Sequence, residues 1–366
     1  GTSTRINGDF NLPGLRVGGP YKIVVTFIGY TNLEMRDVHL ELGLSTEFNF
    51  TLTEEALQLG DVTITADRDA IIRSDRTGTS TSISRENIAT LPTISRRMED
   101  LTRLTPQAGR RSSFGGIDNR MNNITIDGSY FNNSFGLGGL PGDRTGVAPI
   151  SLDAIEQIQV NISPFDVRFG NFVGASINSV TRSGTNEFEG SVYYQYRNND
   201  FVGDQARDIA FNPGTFRFNQ YGLRLGGPII PNKLFFFVNF EDDKIIQPAT
   251  TFIANQGGVP VGGNVTRVLA RQLDSLSNFL RSNFGYETGP YEGYDFETPS
   301  TRFLMKLDYN LDPSNKISLR YTHLDSFTDI ILSNSSSLGF GTRRTVTDAL
   351  NFANSNYQIK ENIRSV

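Results

Sequence analysis

The sequence predicts a mainly β fold in three parts: a truncated β-sandwich, an α+β domain, and the first strands of an antiparallel transmembrane β-barrel. Three observations carry this prediction. Phe (27) and Gly (36) are abundant among 366 residues, as strands and tight turns require. The second half alternates apolar and polar residues with a period of two. The connections between its alternating segments are short and long by turns.

Composition removes several function classes. A net charge of -5 gives no basic field for nucleic acid. Mean hydropathy is -0.30 and no apolar run reaches 18 residues, so no transmembrane helix is expected. Barrel strands stay open as membrane spans, because their alternation averages to polar. The chain has no Cys, which removes disulfides, thiol nucleophiles and Cys-metal sites. Its two histidines, His39 and His323, lie far apart in sequence. Gly136 to Gly142 is glycine-rich but lacks the Lys-Ser/Thr of a phosphate loop. No nucleophile, acid and base converge, so no enzyme activity, metal or cofactor is expected. Glu241-Asp242-Asp243 reads as a solvated strand end, with a Ca²⁺ site as the lesser alternative.

Residues 1–57 form the first part. Asp9 to Leu15 reads as a short strand, and Tyr21 to Tyr30 as a longer one rich in β-branched and aromatic residues. Leu40 to Leu42 and Phe48 to Leu52 give two more. Gly8 through Tyr30 resembles the C-terminal half of the carboxypeptidase regulatory-like domain, whose first strands would precede Gly1; any other Ig-like β-domain is the alternative. Residues 58–80 follow as a linker holding Asp61, Val62, Thr63, Ile64 and Thr65. An extended β-branched segment beside a linker suits strand addition to another protein's sheet. It would equally serve as the last strand of the sandwich, and the two roles fit different states.

Residues 81–187 mix short helices and strands. Ser84 is an N-cap for a helix ended by Pro92, and Arg97 to Leu104 is a second helix with Met98, Leu101 and Leu104 on one face. Ile124 to Gly128 is a strand ending in a turn, and residues 129–148 read as loop. Ser151 to Glu156 is a capped helical turn leading into the strand Gln157 to Val160; Ile177 to Arg182 is another strand.

Residues 188–366 carry the barrel signature. Phe188, Val192, Tyr194 and Tyr196 alternate with polar residues, as do Tyr221, Leu223 and Leu225. So do Phe236, Val238 and Phe240; Phe303, Met305, Leu307 and Tyr309; and Ile317, Leu319 and Tyr321. A cation facing lipid at the midplane costs roughly 2–4 kcal/mol. Arg224, Lys306 and Arg320 should therefore face the lumen, with Tyr196, Tyr309 and Tyr321 as interfacial girdle residues. Residues 227–233 and 311–315 are short turns; residues 198–215, 242–300 and 326–346 are long loops. The longest should hold a helix from Asn264 to Asn283, with Val265, Val268, Leu269, Leu273, Leu276, Phe279 and Leu280 on its packed stripe. A soluble sandwich could alternate in the same way; the loop rhythm and the aromatic strand ends favour the membrane. About six strands are expected. Plugged transporters have about 22, so the rest of the barrel would lie beyond Val366.

The middle of the chain resembles the plug of a TonB-dependent receptor. Ile126-Asp127-Gly128, Ile155-Glu156-Gln157-Ile158-Gln159-Val160, Gly170, Gly174 and Ile177 to Arg182 fall in that family's order and spacing. Pro164 to Gly170, Arg182 to Asn186 and Gly226 to Phe237 resemble its Oar-like subgroup more narrowly. Ala175-Ser176 departs from the Gly pair usual there but keeps a small residue. The resemblance implies a receptor in the cell outer membrane, its plug and N-terminal domain facing the periplasm. It would import a bulky ligand (peptide, protein or glycan) with energy from the proton gradient. It assigns Asp127, Gly128, Glu156, Gly170, Gly174 and Arg182 to the plug's structural motif. It also assigns Asp61 to Thr65 to the TonB box, which pairs with TonB and its energising inner-membrane complex. Outer-membrane lipid is a second partner, an outer-surface lipoprotein a third, and nucleic acid is none. The alternative function is a surface anchor for adhesion or secretion without transport.

Overall fold

The computed structural model describes residues 1–43, 45–54, 62–65, 79–93, 96–109, 112–132, 141–164, 170–203, 205–206, 209–210, 214–312, 315–331, 347 and 349–366. They form two compact units. One comprises Gly1–Pro141, Ser151–Ser183 and Asp308–Ile317; the other comprises Gly142–Ile150, Gly184–Leu307 and Ser318–Val366.

The first unit holds two sheets. In the smaller, β1 (Gly18–Val25) runs antiparallel to β2 (Leu33–Leu40), and β3 (Val62–Thr65) adds to β2 in parallel. β1 stops at Val25, short of the expected Tyr30, because the chain turns there: Tyr30 N donates to the Phe27 carbonyl, and Tyr30 makes only a bridge to Glu54. β2 lies earlier than the expected Leu40–Leu42 strand and buries Leu33 and Val38. Residues 9–15 and 48–52 are not strands. Their aromatic residues stack instead, Phe10 on Phe50 at 5.9 Å and Phe48 on Phe50 at 6.1 Å, which holds the segments together without a ladder.

The larger sheet is built from β4 (Thr79–Ser84), β5 (Asn123–Ile126), β6 (Ser129–Tyr130), β7 (Ile155–Ser163) and β8 (Ser176–Thr181), in the order β4-β7-β8-β5-β6. Its apolar side chains Ile83, Ile124, Ile126, Ile155, Ile158, Val160 and Ile177 are all buried. Helix α1 (Arg85–Thr90) starts at Ser84, whose side chain accepts from Asn87 N, and Pro92 follows its end. Helix α2 (Met98–Thr102) buries Met98 and Leu101. Leu104, expected on the same face, is 53% exposed because the helix has already ended. Ser129–Tyr130, expected as loop, is the return strand of a hairpin.

In the second unit, β9 (Glu189–Asn198) is followed by a two-stranded ribbon of β10 (Gln205–Ala206) and β11 (Ile209–Ala210). Then come β12 (Arg217–Ile230) and β13 (Leu234–Pro248), β14 (Ile253–Asn255) and β15 (Val265–Leu269), helix α3 (Ala270–Phe284), and β16 (Asp295–Asn310), β17 (Lys316–Ile330) and β18 (Tyr357–Ser365), of which the end of β16 from Asp308 and the start of β17 as far as Ile317 group with the first unit. Six strands form one sheet in the order β18-β17-β16-β13-β12-β9, a partial, unclosed barrel. The expected helix of the longest loop begins only at Ala270. Before it, β-branched Val265, Thr266 and Val268 favour the extended β15. Of its expected stripe only Leu273 is buried, packing with Ala270 and Ala254; Leu276 and Phe279 are exposed.

Candidate functional site

The residues that the sequence resemblance assigns to a plug motif gather at the two ends of the larger sheet in the first unit. At one end, Asp127 and Gly128 join β5 to β6 in a two-residue turn with φ of +47° and +82°. Such a turn needs left-handed backbone at both positions, which Asp tolerates and Gly adopts freely. The Asp127 carboxylate also closes the end of β8. It accepts from Thr181 N at 2.8 Å and from the Thr181 hydroxyl at 2.5 Å. The next residue, Arg182, is buried and bound across to the start of β7. Its backbone N donates to the Ala154 carbonyl at 2.9 Å and its Nε to the Ile155 carbonyl at 3.3 Å. Glu156 is half-buried one position along that strand.

At the other end, Gly174 lets two chains approach closely. A Cβ there would collide with Asn122 Oδ1, the atom that accepts from Ala175 N at 3.0 Å. The fully buried Ala175 keeps the small side chain that this end needs. Gly170 is tied to it, since Asn123 Nδ2 donates to its carbonyl at 3.2 Å, but a Cβ at Gly170 would meet nothing. Asp127, Gly128, Glu156 and Arg182 are thus brought together at one end, with Gly170 and Gly174 at the other. Residues 165–169 of the expected motif lie outside the described residues.

Of the candidate partner-binding segment, Val62, Thr63, Ile64 and Thr65 are β3; Asp61 lies outside the described residues. β3 takes the free edge of β2, with Leu33 opposite Val62 and Arg36 opposite Thr65. Beside it on β2, Glu34 receives a hydrogen bond from Lys22 at 2.9 Å and one from Arg36. These two cations hold its carboxyl below the usual carboxylate range.

The barrel sheet is inside out relative to a soluble core. On its outward row Val192, Tyr194, Tyr221, Leu223, Leu225, Met305, Ile317 and Leu319 are exposed. On the inward row Gln220, Asn239, Glu241, Arg302, Lys306, Asp308, Arg320 and Thr322 are buried. Arg224 shares this row and donates to Ser191 Oγ at 2.8 Å, so all three expected cations face inward. Aromatic rings mark two levels of the outward row, Phe188 against Phe236 at one, Tyr221 against Phe240 and Phe303 against Tyr321 at the other. Along β12 the outward apolar stretch runs from Tyr221 to Ile229. Its length, about 26 Å of strand or roughly 20 Å of height at a tilt of about 40°, spans most of the apolar band of about 25 Å that a barrel shows to lipid.

Beyond that band the strands continue into the expected loops. Asp242 and Lys244 of β13 are held across the strand gap by β16, through the Thr301 hydroxyl at 2.7 Å and Glu297 at 2.7 Å. The β18 register fits the same scheme. Its exposed Gln358, Lys360, Asn362 and Arg364 pair with Asp329, Phe327, Asp325 and His323, all past Tyr321. Its polar outward face therefore lies outside the apolar band.

Glu241 and Asp243 are not a solvated strand end. Both are buried, and Arg302, 3% exposed, is bound to Glu241 at 2.8 Å and to Asp243. The Tyr193 hydroxyl also donates to Glu241. Alternation put Glu241 and Arg302 on their rows, but the pairing needs the β13–β16 neighbourhood across a loop of more than forty residues.

A family model described as an outer membrane β-barrel domain matches residues 180–257. Over 238 residues, 61% of this chain, the sequence is 25% identical to the TonB-dependent transporter Oar of Myxococcus xanthus, of whose length it spans 20%. Among solved structures, the outer membrane transporter YddB of Escherichia coli is similar at 15% identity and a TM-score of 0.48, covering 70% of this chain and 34% of that one. A variant of the ferric enterobactin receptor (PfeA) of Pseudomonas aeruginosa in complex with enterobactin is similar at 15% identity and a TM-score of 0.47, covering 73% and 37%. A sheet that buries its charges and turns its apolar side chains outward is what a wall in lipid requires, and the chain is accordingly an outer-membrane β-barrel protein homologous to the TonB-dependent transporter Oar.

Proposed function

We propose that this chain belongs to an energy-coupled receptor that imports a bulky ligand such as a peptide, protein or glycan. The plug motif comprises Asp127, Gly128, Glu156, Gly170, Gly174 and Arg182, and the coupling segment is Asp61 to Thr65. TonB, energised by the proton gradient through its inner-membrane complex, would recruit that segment as an added strand and remodel the plug. The observation that carries this reading is β3 itself. It is a four-residue extended segment whose backbone already adds to a sheet edge. A short strand held on one side exchanges partners at low cost, since main-chain hydrogen bonds of the same kind are lost and regained.

The test is binding of the periplasmic domain of TonB to the intact receptor. Val62→Pro and Ile64→Pro each remove a backbone donor and should lower binding by tenfold or more. Unchanged binding in both variants would refute the coupling assignment. Ligand accumulation that stops when the proton gradient is dissipated supports import; surface attachment that survives it would favour an anchor.

A further inference from the structure

We propose that Gly142–Ile150 is a latch belonging to the barrel wall, although in sequence it lies between β6 and β7 of the plug sheet. The segment groups with the barrel strands in the second unit. It is held there at two places by charged side chains of the sheet's inward row. At the first, the Glu361 carboxylate of β18 accepts from Thr145 N at 3.1 Å, from the Thr145 hydroxyl at 2.8 Å and from Gly142 N at 3.4 Å. Ser326 of β17, the cross-strand partner of Glu361, completes the set with its hydroxyl 2.8 Å from Thr145 Oγ1.

At the second place, Arg302 donates to the Ala148 carbonyl at 3.3 Å while bound to Glu241 and Asp243. The two carboxylates fix the guanidinium, so its remaining edge is aimed in advance. Between the two holds the chain folds on itself, with Val147 N bonded to the Gly142 carbonyl at 2.9 Å. Thr145, Val147, Ala148 and Ile150 are all buried. An anion facing two backbone N–H groups and a hydroxyl is stronger than a neutral contact, and in a buried setting it is not readily exchanged for water.

The latch therefore divides the plug's chain in two. Remodelling of the plug sheet would proceed on either side of a segment that stays with the wall. That mechanical consequence rests on the energised-receptor reading; the latch itself does not.

These 366 residues hold no cysteine, so with any cysteine elsewhere in the full-length receptor replaced by serine, a single introduced thiol reports its own position. Val147→Cys would report the latch and Ala175→Cys the plug sheet, both positions being buried. Maleimide labelling is followed through a urea titration of the full-length receptor in outer-membrane vesicles, with no ligand and no TonB. The latch thiol should stay protected to higher urea than the plug thiol. At a urea concentration just below the transition, adding Glu361→Ala should speed labelling of the latch thiol about tenfold or more and leave that of the plug thiol unchanged. Ser326→Ala should act in the same direction by a smaller factor. Equal urea midpoints for the two thiols, or a Glu361→Ala effect of the same size on both, would overturn the latch. Neither reading depends on transport, so a receptor that fails to import still tests it.

Discussion

The larger sheet of the first unit and the barrel sheet treat their polar rows differently: the first buries uncharged amides and hydroxyls beside its apolar side chains, and the second buries charges and turns apolar side chains outward. In the first, Ile124, Ile126, Ile158, Val160 and Ile177 are buried together with Gln157, Gln159, Asn161 and Asn178, and charged side chains such as Asp127 and Arg182 are kept to strand ends, where they tie loose backbone. In the barrel sheet, Val192, Leu223 and Leu225 are exposed while Glu241, Arg302 and Lys306 are buried. Hydrophobic burial drives the first arrangement. In the second, lipid replaces the core, and the cost of a charge in hydrocarbon sets the sense of the alternation. Sequence period alone cannot tell these two cases apart; the presence of charges along the polar row, of both signs in the barrel sheet, can.

The largest predicted effect tests the buried charges. Arg302→Ala leaves Glu241 and Asp243 buried without their cation and should cost about 3–5 kcal/mol, read as a lower urea midpoint in lipid vesicles. An ordinary solvated surface would lose no more than about 0.5 kcal/mol. Next comes the outward row: Val238→Arg should cost about 2–4 kcal/mol in a bilayer, measured by the same titration. A destabilisation near zero there would make the sheet a soluble one. In the larger sheet of the first unit, Asp127→Ala removes both acceptors of Thr181 and should cost about 1–3 kcal/mol, seen as faster hydrogen exchange at the Thr181 amide while the barrel strands keep theirs.

The smallest effect is a pH dependence in the N-terminal sheet. Lys22 and Arg36 depress the Glu34 carboxyl, so its contribution is present above the ordinary carboxylate range and is lost as pH falls through the depressed value. The protection factor of the Glu34 amide, corrected for intrinsic exchange, should fall on acidification, and Glu34→Gln should abolish that change.

Several of these features were legible in the sequence because they are local. Period-two alternation gave the facing of β9, β12, β13, β16 and β17, and Asp127-Gly128 announced its own turn. The Ser84 cap was equally readable. What was not legible depends on non-local neighbours. β13 and β16 run past the apolar band because Asp242 and Lys244 find partners on the adjacent strand, which no window along one strand reveals. Arg302 meets Glu241 and Asp243 for the same reason. The stripe assigned to α3 failed because its first residues prefer an extended backbone and its later apolar ones stay exposed. In the N-terminal sheet, aromatic stacking at Phe10, Phe48 and Phe50 imitated strand composition without a ladder.

The inside-out sense of the barrel sheet is tested most directly along β13. Single cysteines at positions 236 to 240, each carrying a fluorophore, are placed in vesicles of brominated lipid. Quenching should alternate, strong in place of Phe236, Val238 and Phe240 and weak in place of Phe237 and Asn239. Uniform quenching, or alternation in the opposite phase, would contradict a charged inner row and a lipid-facing apolar one.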